Sequence, residues 1–144
     1  MDGVEFLSSE WIDALNAAAS GRAFPADVGP FTFVREVTGL VRDTDGELCR
    51  VEEAASSVRV AFAFTDGRLS VSAVDDGHGD FATLVSDYLT AVCLAQGDCG
   101  VQESFEAGRL RLRGPVRQIV ENKTLIRALD DVFADVRQVT RFTL

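Results

Sequence analysis

The sequence predicts a single α+β domain, and three local patterns carry that expectation. Val58, Val60, Phe62 and Phe64 alternate with Arg59, Ala61 and Ala63, the two-residue period of a half-buried strand. Asp66-Gly67 follows directly, and both positions tolerate positive φ, which suits a two-residue hairpin loop. Leu125, Ile126, Leu129, Val132, Phe133, Val136 and Val139 recur at spacings of three and four, a helical stripe broad enough to cover a sheet. At 144 residues the chain has the length of one domain and can bury a core without disulfides or metals. No repeat, low-complexity run or linker divides residues 1–144.

Taken in order, the first helix begins after Ser8, a natural N-cap, with Leu7 and Ile12 placed as a hydrophobic staple. Trp11, Leu15 and Ala18 form its apolar face, and Gly21 is its stop. Residues 22–30, with Pro25, Gly29 and Pro30, read as a loop. Residues 31–41 read as strand, and Asp45-Gly46 turns the chain toward Leu48–Val51. In the hairpin at Asp66-Gly67, Phe64 is expected opposite Leu69, Phe62 opposite Val71 and Val60 opposite Ala73, all on one face.

Phe81–Val85 is a short strand, and Ser86 is the expected N-cap of a helix carrying Tyr88, Leu89, Val92, Cys93 and Leu94 to a stop at Gly97. A short helix from about Val101 to Ala107 ends at Gly108. Arg109, Arg111 and Arg113 alternate with Leu110 and Leu112, so the leucines face inward and the arginines form a solvated strand face. Gly114-Pro115 ends that strand, because proline cannot donate to a ladder. The final helix runs from about Val116 to Val139, with an interruption near Asn122.

Composition excludes several classes of function. The net charge of −9 disfavours nucleic acid and anionic membrane surfaces as bulk partners. The apolar runs are too short and too broken by charge for stable membrane insertion. The N-terminal residues form no signal peptide, so a cytoplasmic location is the default expectation. Lys123 is the sole lysine beside thirteen arginines, a bias that suggests a GC-rich bacterial genome. Three cysteines, Cys49, Cys93 and Cys99, read as reduced, buried or half-buried thiols.

Catalytic patterns are missing. There is no phosphate loop, GxGxxG or GxSxG motif, and neither a cofactor nor a metal is expected. A Cys-His or Ser-His pair would have to use His78, in the turn Asp75–Asp80, and that turn lacks EF-hand spacing. The pairs Asp130-Asp131, Glu52-Glu53 and Asp75-Asp76 fall on predicted surfaces or loops, as solvated charges do. Ten phenylalanines, against one Trp and one Tyr, supply apolar surface with few polar handles. They either fill a core or surround a pocket, and periodicity does not choose between the two.

The order of elements resembles the sterol carrier protein type-2 (sterol-transfer) family. Ser104-Phe105-Glu106-Ala107-Gly108-Arg109-Leu110-Arg111-Leu112-Arg113-Gly114 is similar to that family's signature: a Phe-bearing helix, a Gly, an alternating basic-apolar strand and another Gly. Phe6–Trp11 resembles the start of small bacterial members. Glu106 and Pro115 depart from the pattern, at positions where the family often has a bulky apolar and an acidic or amide residue.

The resemblance implies a curved, mainly antiparallel sheet of about five strands covered by helices, with an apolar tunnel. Its ligand would be a fatty acyl chain, an acyl-CoA or a sterol-like molecule. Phe105 would then lie on the lining helix, and Leu110 and Leu112 on the lining strand. Combined with the sheet face and helical stripe, the candidate ligand-binding residues are Phe62, Phe64, Leu69, Val71, Leu89, Val92, Phe105, Leu125, Leu129 and Phe133. Two other readings stand beside this one. One is a non-catalytic interaction or accessory module with a filled core, including a homodimer. The other is a small enzyme using His78 or a buried carboxylate on an apolar substrate.

Overall fold

The computed structural model describes residues 3–25, 30–45, 47–52, 56–74 and 81–142. The chain opens with a two-residue strand β1 (Val4–Glu5) and helix α1 (Ser9–Ser20). Ser8 caps α1 as its type predicts, accepting the Trp11 N–H on Oγ at 3.2 Å. Leu7 and Ile12, the two halves of the staple, are both buried.

Residues 31–41 form two strands, β2 (Phe31–Thr38) and β3 (Leu40–Arg42), because the chain bends at Gly39. β3 pairs with β4 (Leu48–Arg50) in a separate small hairpin. β5 (Ser57–Thr65) and β6 (Arg68–Val74) form the hairpin expected at Asp66-Gly67. Phe64 lies opposite Leu69, Phe62 opposite Val71 and Val60 opposite Ala73, in the register that the alternation demands. The loop residues have φ of 53° and 78°, the left-handed values of a hairpin turn matched to strand twist. Gly67→Ala is therefore expected to cost about 1–2 kcal/mol of unfolding free energy in urea titration. Gly21→Ala, at φ −90° with open space around it, should be neutral or slightly stabilising.

β7 (Ala82–Asp87) starts one residue later and ends two residues later than the expected Phe81–Val85. Ser86 stays in the sheet, paired with Val37 on one side and Leu110 on the other, so it does not cap the next helix. Asp87 takes that role for α2 (Tyr88–Gln96), accepting the Thr90 N–H at 2.8 Å. α3 (Val101–Glu106), β8 (Leu110–Arg113), α4 (Val116–Glu121) and α5 (Lys123–Arg137) follow, with the expected interruption at Asn122. A final strand β9 (Thr140–Arg141) pairs in parallel with β1 and ties the two ends of the chain together.

The main sheet has five strands in the order β6-β5-β2-β7-β8, with helices packed on one side. Every neighbouring pair is antiparallel except β2 and β7, whose parallel pairing requires the chain to travel through β3 to β6 between them. The inner face is set by this register. Phe31, Phe33, Arg35 and Val37 share it with Val60, Phe62 and Phe64 on one side, and with Ala82, Leu84 and Ser86 on the other.

The outer face holds a buried acid. Glu36 Oε1 accepts from Arg59 Nε at 2.8 Å and from Arg113 Nη2 at 2.6 Å. Arg113 thus does more than form a solvated strand face, as the alternation of 109–113 suggested. Its side chain remains 59% exposed, which keeps its contribution near that of a surface pair.

Candidate functional site

A pocket of about 330 Å³ opens between the inner face of the sheet and the helices. That volume lies at the low end of the range of about 300–1,000 Å³ typical of small-molecule sites. Its floor is the middle of the sheet: Phe33, Arg35 and Val37 of β2, Val60 and Phe62 of β5, Leu84 of β7 and Leu110 of β8. Strand alternation sends each of these side chains to the helix-covered side.

The N-terminal segment supplies one wall, with Phe6, Leu7 and Trp11. Its position follows from pairing and not from local propensity. β1 is clamped to β9, and Arg42 Nη2 donates to the Leu7 carbonyl at 2.8 Å. Phe6 then meets Trp11 edge-on at 5.0 Å, and Trp11 stacks on Phe133 at 6.4 Å. Phe133 in turn meets Phe62 edge-on at 5.8 Å, so an aromatic chain closes this end of the pocket.

The opposite wall is the turn from α2 to α3, with Leu94, Ala95, Gly97, Cys99, Val101 and Phe105. Here one sequence expectation is overturned: Cys93 and Cys99 are joined by a disulfide. Gly97 ends α2 at φ 81°, and the N–H groups of Asp98 and Cys99 both return to the Cys93 carbonyl. That reversal leaves the two Cα atoms 5.4 Å apart, within bridging range despite a separation too long for a CxxC pair. Cys49 is the free thiol among the three, and it is exposed instead of buried or half-buried.

α4 contributes Ile119, and α5 contributes Ile126, Leu129, Asp130, Phe133 and Arg137. Asp130 and Arg137 are exposed and sit at the rim. Arg137 Nε donates to the Ala95 carbonyl at 2.7 Å, which ties α5 to the end of α2.

Of the residues the sequence nominated, Phe62, Phe105, Leu129 and Phe133 line this pocket, as does Leu110; Leu112 does not. Phe64, Leu69 and Val71 lie on the same sheet face but do not line the pocket: Leu69 and Val71 belong to β6, on which α1 packs, and Phe64 is packed against Phe24 and Phe31. Asn16 of α1 locks that region by bonding both the N–H and the carbonyl of Val71, each at 2.8 Å. Leu125 is packed in the core, and Val92 is half-buried against it. Leu89 is 64% exposed, because α2 buries Tyr88, Thr90 and Ala91 instead. α2 is apolar almost all round, so spacing alone does not select its buried face.

Sequence reasoning missed the N-terminal wall, the α2–α3 turn and Arg35. A signal for Arg35 existed: in Phe31, Phe33, Arg35, Val37 a charge falls on the apolar phase of the strand. Arg35 is half-buried, and its Nε is fully shielded with no hydrogen-bond partner among the described residues. Burial pulls its guanidinium from the ordinary value down to about 10, so it still carries its charge at neutral pH. No group of three or more His, Cys, Asp or Glu that could hold a metal occurs among the described residues. His78 and the Asp75–Asp80 turn lie outside them. Among the described residues no helix is long and apolar enough to cross a membrane.

No protein-family model matches the sequence, and no curated protein matches it. Solved structures do. A crystal structure of sterol carrier protein 2 superimposes with a TM-score of 0.62 at 15% identity, covering 94% of this chain and 99% of that one. A conserved hypothetical protein from Thermus thermophilus, described as possibly a sterol carrier protein, gives 0.61 at 15% identity, covering 100% and 96%. The chain therefore has the sterol-carrier-protein-2 fold: a mostly antiparallel five-stranded sheet packed against helices, as the resemblance implied.

Proposed function

We propose that this domain binds an apolar small molecule in the pocket between its sheet and its helices. The lining carries the reading. Sheet, N-terminal segment, α2–α3 turn and the two last helices all turn apolar side chains toward one space. Burial of a ligand there is worth roughly 25 cal/mol per Å² of apolar surface removed from water, without any reacting group. The fold shared with sterol carrier protein 2 supports a lipid or lipid-like ligand.

Native mass spectrometry of freshly purified protein, followed by organic extraction, is expected to find a co-purifying apolar molecule. Titration with fluorescent apolar probes should saturate at one per chain. Ile126→Trp, which fills the pocket from α5, should weaken that binding by about tenfold or more while the protein stays folded. An absence of saturable binding by acidic and neutral probes alike would sink the proposal.

A further inference from the structure

The inner face of the sheet is apolar with two exceptions, and they are neighbours. Arg35 lies opposite Val60 on one side and Leu84 on the other. Ser86, two residues beyond Leu84, lies opposite Val37 and Leu110. Arg35 and Ser86 are thus diagonal neighbours on one face, at the centre of the sheet. Each has a shielded polar atom with no hydrogen-bond partner among the described residues, Arg35 Nε and Ser86 Oγ. Native interiors satisfy nearly all such groups, so two together on one apolar surface call for a reason. Arg35 lines the pocket, and so do Val37 and Leu110; Ser86, 3% exposed, lies between those two and just behind the lining.

We infer that Arg35, on the floor of the pocket, forms an anion subsite with Ser86 directly behind it, which selects an apolar molecule with a carboxylate head and binds it head inward. The inference rests on the pocket being the ligand site, and adds the ligand's charge and direction. A guanidinium offers planar, paired N–H donors that match the two oxygens of a carboxylate. The Ser86 hydroxyl is one further donor to the same head. The chain would then run outward past Leu94, Ile126 and Phe133 toward the rim. Arg35 is charged at neutral pH in an apolar wall, where an uncompensated cation is costly. A carboxylate offsets that cost and a neutral ester or sterol does not, and this difference is the source of selection.

The test is equilibrium binding of a fluorescent long-chain carboxylic acid and of its methyl ester to the full chain. It compares the wild type, Arg35→Leu and Ser86→Ala, with folding of each checked by circular dichroism. The wild type should prefer the acid by about ten- to a hundredfold, the value of a charge-assisted hydrogen bond. Arg35→Leu should abolish the preference by weakening acid binding, leaving the ester within about threefold of its original affinity. Ser86→Ala should weaken the acid by about three- to tenfold and leave the ester unchanged. Equal affinities for acid and ester in the wild type, or a preference that survives Arg35→Leu, would overturn the subsite while leaving the apolar pocket intact. Failure of both probes to bind would instead remove the pocket itself. If Arg35→Leu does not fold, the wild-type comparison and Ser86→Ala decide the matter.

Discussion

Replacing Phe62 by alanine is expected to lower the unfolding free energy by about 3–5 kcal/mol, read from the midpoint of a denaturant titration at constant slope. Phe62 is 1% exposed in the middle of β5. It stacks on Phe33 at 5.0 Å and meets Phe133 edge-on at 5.8 Å, so its loss takes away contact with both sheet and helix. The void it leaves opens into the pocket, which Phe62 lines, so the value should fall toward the lower end of that range. Phe64→Ala is the companion variant. Phe64 is as deeply buried, packed on Phe24 at 5.4 Å, but it lies outside the pocket. The two variants should destabilise similarly, and only Phe62→Ala should change the affinity for an apolar probe. A similar change in affinity from Phe64→Ala would mean that the pocket extends along the sheet toward Phe24.

Reducing the Cys93–Cys99 disulfide is expected to cost about 2 kcal/mol of stability, the chain-entropy value for so short a loop. The functional effect is the sharper one. The bond staples the turn between α2 and α3, and that turn supplies Ala95, Gly97, Cys99 and Val101 to the pocket wall. A reduced turn must be ordered again when ligand binds. Ordering one residue's backbone costs about 1 kcal/mol, so affinity for an apolar probe should fall by about fivefold. Melting and probe titration with and without reductant, repeated on the Cys93→Ala/Cys99→Ala double variant, provide the check. Unchanged affinity would show that the Gly97 helix stop and the Arg137–Ala95 hydrogen bond hold the turn by themselves.

Elements governed by neighbouring residues were legible beforehand. The β5–β6 register follows from a two-residue period and a two-residue turn, both of which act within about ten residues of chain. The caps of α1 and the Gly97 stop are equally local, since each satisfies backbone groups a few residues away. Ser86 shows where this logic fails. Its type suits a cap, but two strands distant in sequence claim its backbone, and Asp87 caps the helix instead.

The candidate site divides along the same line. Phe62, Leu129 and Phe133 could be named because alternation and the three- and four-residue spacings identify an inward face. Phe64, Leu69 and Val71 share that face, yet α1 packs over β6 and Phe24 over Phe64, and no local pattern tells a roofed stretch of sheet from an open one. Phe105 came from the family resemblance, as did the expectation of this fold.

The opening reading, a single α+β domain with a hairpin at Asp66-Gly67 and an amphipathic final helix, came from the sequence alone, because period and turn chemistry are short-range properties. Tertiary structure alone decided the parallel β2–β7 pairing that sets Arg35 beside Leu84 and diagonal to Ser86. It also decided the clamp of β1 on β9 and the bridge between Cys93 and Cys99. Each of these depends on where separate segments meet in space, a property that residue spacing along one segment does not encode.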